Sequence, residues 1–539
     1  MPSDRPMGIE TEFAIGGRRK NGMPLDRDSL LRRLSEAAME RWRFLPSSNG
    51  NGIFTESGAR FYFDTGGHPE FCVGESSDLN ELVSHVKAGE RLLSELVDLM
   101  EEQDGGESEI WIFRSNVDYS VGEPRTWGQH SSFLIRNKPE TFLTDLIPHL
   151  VTRAYSWAGG LNPFMPNGLQ FCLFPRALFF VRPIGPDSTA GRGIFHTRDE
   201  SLAGPGYWRL HILCGESLHS EVGLWLQLGT TALIVAMTEA GLKPGRGIEL
   251  KNPVQALHLV ASNLCHPLVL IDGRKLTALD IQEHFLEQAE RYQDRECMPH
   301  FAPEVCRRWR EILTALRKDP RTLSKVLDWP FKAELFEKIC REHGFSMNSF
   351  APGNDFRNRL YEALKGTAYE RQSPDVGFLI GPRSPILEVA ARMTPELRKA
   401  GLSWSTLAAP KELRQKLLEG DLRLSQLGPR GLFQQLDQAG MLERRIVREQ
   451  EIELAKTNPP ARGRAAIRGK VVRELCGDGG TTCDWQFIRD KTNGRLLDLS
   501  DPFCSTERWI WEDDSDEDER DLDASLNSLL EDLNHVGNI

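Results

Sequence analysis

The 539-residue chain contains no G-x-x-x-x-G-K-[ST], which excludes a P-loop as a nucleotide site. It has no G-x-S-x-G and no Cys/His hydrolase signature, which argues against the common nucleophilic hydrolases. Its ten cysteines are scattered and never form C-x-x-C; Cys476 and Cys483 lack a matching His or Cys pair. That spacing speaks against zinc and for reduced thiols in a cytoplasm. No run approaches the ~20 apolar residues of a membrane span, and Met1 to Arg5 lacks a secretory apolar region. A basic excess is missing too. The net charge is −12, but residues 512–539 hold eleven acids against Arg520 alone, a net −10, so the rest stands at −2. Acidity belongs to the tail, and neither a nucleic-acid nor a membrane partner is expected.

At 40% hydrophobic and 27% charged, the chain is ordinary for a globular protein and long enough for more than one domain. Its most informative stretch is Gly58–Glu70, G-A-R-F-Y-F-D-T-G-G-H-P-E. Side chains two apart on a strand share a face, so Arg60, Tyr62 and Asp64 stand opposite Phe61 and Phe63. Glu10 and Glu12 likewise share a face, with Ile9 and Phe13 on the other. Two carboxylates on one strand and a Tyr/Asp/Glu set on another suit Mg²⁺, a hard cation with oxygen ligands that also takes substrate phosphate. Arg209 and His211 share a strand face, a phosphate-binding cation beside an imidazole ligand.

Hydrophobic periodicity predicts a first strand over 7–16, a helix over Leu25–Trp42, one strand over Ile53–Asp64, and a helix over Asp78–Glu101. Gly168–Phe174 and Ala177–Arg182 read as a hairpin. Helices are expected over Leu224–Gly241, Ala278–Tyr292 and Leu327–His343.

The motifs M-G-I-E-T-E-F (7–13) and G-A-R-x-Y-x-D-x-G-x-H-P-E (58–70) resemble the Pup ligases and their sister depupylases. Both belong to the carboxylate–amine ligase superfamily, which shares its fold with glutamine synthetase. Phe195–Glu200, Tyr207–Glu221 and Asp484-Trp485 extend the likeness. The resemblance implies an α+β fold: a glutamine-synthetase-like curved antiparallel sheet with packed helices, a small C-terminal domain and an acidic tail. Residues 1–420 would form the catalytic domain, with about 345–420 an insertion. Residues 421–511 would complete the nucleotide site. Residues 512–539 are an acidic tail in which Leu522, Leu526, Leu529, Leu530 and Leu533 share one helix face; it reads first as a solvated tail with a short amphipathic helix, and second as a mimic of a Pup-like ligand in its groove.

The same resemblance implies that Glu10, Tyr62 and Glu70 hold metal, that Arg60 and Trp485 contact ATP, and that Asp64 is the general base. Glu12 and His211 are added metal ligands from the strand-face argument; Arg198 and Arg209 are further phosphate candidates. The implied reaction uses ATP and Mg²⁺ to phosphorylate the C-terminal Glu side chain of a Pup-like modifier. A lysine of a target protein, deprotonated by Asp64, then attacks the acyl phosphate. Three positions depart from the family pattern: Ser131 and Ser132 replace Glu and Asn, and Val73 replaces an ATP-contacting Thr. The compact Asn51–Ser57 connection and D-T-G-G-H-P-E favour the ligase branch. A depupylase, or a non-catalytic regulator binding nucleotide or a Pup-like protein, is the alternative.

Overall fold

The computed structural model describes residues 4–118, 125–161, 171–186, 191–197, 202–343, 411–443 and 445–511. Seven strands form one antiparallel sheet, in the order Trp208–Ile212, Gln129–Ile135, Met7–Glu12, Pro69–Cys72, Arg60–Phe63, Ile53–Thr55 and Phe44–Pro46. Met7–Glu12 therefore sits inside the sheet, paired with Gln129–Ile135 on one side and Pro69–Cys72 on the other. Its burial alternates residue by residue, with Ile9 and Thr11 inward and Glu10 and Glu12 on the more open face, as a period of two requires.

The expected single strand over Ile53–Asp64 is two. Ile53–Thr55 and Arg60–Phe63 pair antiparallel around a turn at Gly58, whose φ is +74°. The turn itself is the polar stretch Thr55-Glu56-Ser57-Gly58 between two apolar-bearing strands, a turn signal that the single-strand reading passes over. Gly58 is required there twice over: the left-handed backbone favours glycine, and a Cβ would stand 2.8 Å from the Ala465 carbonyl oxygen.

Helices pack behind the sheet. Leu79–Gln103 is started by Asp78, whose carboxylate accepts from the Glu81 N–H, an N-cap worth about 1 kcal/mol. It buries Leu82, Val86, Leu93, Leu96 and Met100, each stabilising by about 1.5–3 kcal/mol. Contrary to the expectation that no run is apolar enough, one helix among the described residues, Glu221–Glu239, is long and apolar enough to cross a membrane, yet 94% of that stretch is buried inside the protein. It is the central core helix. Its Glu221 carboxylate accepts from the Ile446 and Val447 N–H groups at 2.6 and 3.0 Å, tying the C-terminal segment to the main core.

A second, smaller core lies under a four-stranded antiparallel meander, Thr481–Cys483, Phe487–Asp490, Arg495–Asp498 and Trp509–Trp511. It combines Val471 and Val472 of the Arg464–Leu475 helix with Ile488 and Leu497 of the meander, and with Leu45 and Phe54 from the far edge of the main sheet. Leu427, Val447 and Ile452 belong instead to the main core. The Lys411–Ser425 helix contributes Leu413 and Leu417 to that core as well. All ten cysteines are unpaired.

The hairpin expected around 168–182 is corrected: Pro175–Phe179 is a 3₁₀ turn started by a proline, and Arg182–Gly185 pairs parallel with Gly193–His196. Residues 162–170, 344–410 and 512–539, with Arg198, lie outside the described residues. That removes most of the expected insertion, the tail and one phosphate candidate from structural description.

Candidate active site

Cross-strand register gathers the predicted residues. Tyr62 lies opposite Glu70, and Glu70 lies opposite Glu12; directly opposed residues on one sheet face touch. Glu10 faces the other way along the sheet, toward His130 and the strand bearing Arg209 and His211. The Glu10 carboxylate pairs with the Arg209 guanidinium and lies 3.3 Å from His211 Nε2 and 3.6 Å from His130 Nδ1. Arg209 also donates to Ser132 Oγ at 3.0 Å, so one of the two serine departures takes part in holding this cation. Glu12 accepts from the Gly128 N–H at 2.7 Å and lies 3.8 Å from His130 Nε2.

Among the described residues two clusters with metal-ligating atoms follow: Glu10 with His130 and His211, and Glu12 with Asp64 and His68. Glu70 sits beside them, only 3% exposed. Burial, then the charges of Glu10 and Glu12, push its carboxyl well above the usual range. Three carboxylates on adjacent strands repel one another, and a divalent cation is the natural relief. Burial also disfavours ionised Glu10, but the Arg209 guanidinium, with hydrogen bonds from His130 and His211, outweighs it and holds Glu10 well below the usual range. His211 is pushed down to about 3 by burial and by Arg209, leaving the neutral imidazole that a metal needs. Tyr62, buried beside Cys72 and Glu70, is raised and keeps its proton, donating to Glu70.

Asp64 leads into the turn after its strand. Burial pushes its carboxyl up, but the His68 imidazole and backbone N–H more than compensate and keep it ionised below the usual range. The N–H donates to Oδ1 at 2.6 Å, and Nδ1 lies 3.0 Å from Oδ2. Arg27 donates to the Gly66 and Gly67 carbonyls at 2.5 and 2.9 Å, pinning the turn. Trp127 packs on His68 with ring centres 5.4 Å apart.

Two clefts reach opposite ends of the Met7–Glu12 strand. One, of about 620 Å³, is walled by Glu10, Val73, Ser132, Arg209, Arg464 and Trp485. Trp485 meets Phe54 edge-on at 5.2 Å, with the Arg468 guanidinium 4.8 Å from its ring centre. The other, of about 1460 Å³, opens beside the Asp64 turn, lined by Phe13, Arg27, His68, Trp127 and Lys332 among others. Arg60 lies 4.3 Å over the Tyr62 ring and donates to the Asn51 carbonyl at 2.9 Å; it is not part of the Trp485 cleft wall.

A family model described as Pup-ligase protein matches residues 5–352 and 395–489. The chain belongs to the Pup-ligase family. A Pup–protein ligase 1 of Rhodococcus erythropolis is 31% identical over 521 residues, 94% of this chain and 98% of the relative. A Pup–protein ligase of Acidimicrobium ferrooxidans is 29% identical over 94% of this chain and 97% of its own length. Among solved structures, the complex between the prokaryotic ubiquitin-like protein Pup and its ligase PafA aligns with a TM-score of 0.70 at 25% identity. It covers 94% of this chain and 90% of that one. PafA in complex with ADP shares the fold, with a TM-score of 0.64 at 24% identity over 89% and 92% of the two chains.

Within this Pup-ligase fold, Glu10, Glu12, Tyr62, Asp64, Glu70, Arg209 and His211 converge on one sheet face and its adjoining turn, and Trp485 stands at the mouth of the adjoining cleft. Sequence reasoning missed His130 and His68 as site residues. His68 lay inside the 58–70 motif, four residues beyond Asp64; the signal for His130 was its place directly before Ser131 and Ser132.

Proposed function

We propose that the chain is an ATP-dependent ligase that joins the C-terminal Glu side chain of a Pup-like protein modifier to lysines of target proteins. Family membership supports the reaction class, and the Pup–PafA complex supports a Pup-like partner. The observation that carries the assignment of roles is Asp64, ionised and oriented by His68 beside the carboxylate-lined sheet face. A lysine with pKa near ~10.4 is almost wholly protonated at neutral pH and needs such a base before it attacks.

The nucleotide enters the 620 Å³ cleft with its base against Trp485 and its phosphates toward Arg209 and Glu10, with Arg198 as a further phosphate candidate. The donor set fits Mg²⁺: buried Glu70 between Glu12 and Tyr62 on adjacent strands, Glu10 nearby, and neutral His211. Bound there, the ion supplies charge neutralisation for phosphoryl transfer to the modifier carboxylate. Arg209, held by Glu10 and Ser132, orients phosphate oxygens. Asp64 takes the lysine proton, so that the amine attacks the acyl phosphate and phosphate leaves. The larger cleft beside His68 and Trp127 gives the protein substrates their approach.

We read the seven-stranded face as the glutamine-synthetase-like cradle of residues 1–420, with part of 345–420 inserted. The meander core within 421–511 completes the nucleotide site. Unpaired cysteines throughout accord with a cytoplasmic setting.

The test combines the purified protein with ATP, Mg²⁺, a Pup-like protein ending in Glu and a lysine-bearing acceptor, read by intact mass. An ATP-dependent adduct equal to modifier plus acceptor minus water is expected. Cleavage of a preformed conjugate without any adduct would move the protein to the depupylase reaction. Nucleotide binding with neither product would make it a regulator.

A further inference from the structure

Glu75 lies just beyond the strand that carries Glu70, and no catalytic role above uses it. Its carboxylate pairs with two arginines of the Arg464–Leu475 helix: Arg464 through Nε, and Arg468 at 2.5 Å. Burial would push this carboxyl up, but Arg468 and Arg464 hold it down at about 2. The arginines then reach four other segments. Arg468 donates to the Gly58 carbonyl at 3.0 and 3.1 Å, at the turn into the Arg60–Asp64 stretch. It also lies over the Trp485 ring and 3.5 Å from the Trp485 carbonyl oxygen. Arg464 donates to the Leu202 carbonyl at 2.8 Å and to that of Leu499 at 3.4 Å.

Leu202, Ala203, Arg464, Glu75 and Trp485 all line the same cleft. Leu202 is held at φ +32°, a strained conformation for a non-glycine residue that persists only when its surroundings enforce it. The bond from Arg464 to its carbonyl is one such restraint. Arg468 is fully buried, so its contacts are fixed by packing and pairing together, and a buried pair broken on one side leaves an uncompensated charge.

We propose that Glu75, acting through Arg464 and Arg468, is a positioning residue for nucleotide binding: it sets Trp485 and the Leu202 loop against each other across the cleft and registers both with the strand leading to Asp64. This rests on the reading of that cleft as the nucleotide site. Glu75 itself touches no reacting atom. The clasp joins the two cores at a cleft that residues of both regions line, so loosening it widens the cleft without altering the Glu10–Glu70 face.

The test measures Mg²⁺·ADP binding to the full chain by calorimetry for the wild type, Glu75→Gln and Arg464→Met, beside thermal melting and ligation kinetics. Glu75→Gln is expected to raise the ADP Kd and the KM for ATP about tenfold or more, with kcat at saturating ATP changing far less. Arg464→Met, which leaves the Glu75–Arg468 pair intact, is expected to raise the Kd about threefold and decides the matter alone if Glu75→Gln does not fold. A fall in melting temperature with Kd and KM unchanged in the folded variants would overturn the inference while leaving the nucleotide site standing. Failure of the wild type to bind ADP would overturn the cleft assignment and the inference with it.

Discussion

Replacing Trp485 with Ala removes the aromatic wall of the 620 Å³ cleft. The ring is held from behind by Phe54, edge-on at 5.2 Å, and by the Arg468 guanidinium at 4.8 Å, so it is preorganised for stacking before any ligand arrives. Stacking a base on an aromatic side chain is worth about 1–3 kcal/mol. At about 1.4 kcal/mol per decade, the ADP Kd should rise roughly 5- to 150-fold, with about 30-fold as the central value. Trp485→Phe keeps a π-face and should lose much less. Calorimetric titration with Mg²⁺·ADP reads the change, and thermal melting separates it from loss of the second core, which Trp485 also borders. A Trp485→Ala protein that melts near the wild type and binds ADP within about twofold of it would refute the stacking role.

Three other outcomes are expected. Glu70 has a folded-state pKa raised above the unfolded value, so its contribution to stability is complete below the ordinary carboxylate range and is lost as pH rises through the raised value. Added Mg²⁺ should therefore raise the melting temperature more at about pH 8 than at about pH 5.5, and an equal or reversed shift in differential scanning fluorimetry counts against a cation at Glu70. Val73→Thr puts a hydroxyl back into the cleft wall; one added hydrogen bond of about 0.5–1.5 kcal/mol should tighten ADP binding about two- to tenfold, and no tightening means the nucleotide does not pass there. His68→Gln removes the imidazole that orients Asp64 and should lower kcat about tenfold with the ADP Kd within about twofold. An unchanged kcat would show that the backbone N–H alone suffices.

The site was legible where chemistry follows strand periodicity. Glu10 with Glu12, and Tyr62 opposite the ring-bearing face, need only a period of two. Residues brought in by register were harder. His130 meets Glu10 and Glu12 because Gln129–Ile135 pairs with Met7–Glu12 in one alignment among several, which no local pattern states. The turn at Gly58 had a local signal in Thr55-Glu56-Ser57-Gly58, but the reason a glycine is required, close approach to Ala465, lies some four hundred residues away. The Glu75–Arg464 clasp spans 389 positions. The second core is likewise split, drawing Leu45 and Phe54 from the main sheet into the C-terminal meander. Local propensity carries no trace of such pairings; only the packed fold supplies them.

In the proposed mechanism Asp64 serves the second half-reaction, deprotonating the lysine, rather than the phosphoryl transfer. A rapid-quench single turnover of Asp64→Asn with ATP, Mg²⁺, a Pup-like protein ending in Glu and a lysine-bearing acceptor tests it directly, following ADP and adduct together. The expected result is a modifier-dependent burst of ADP close to that of the wild type, with adduct formation slowed at least about a hundredfold. Adduct at the wild-type rate, or loss of the ADP burst in a variant that still binds nucleotide, would contradict the assignment of Asp64 as the base.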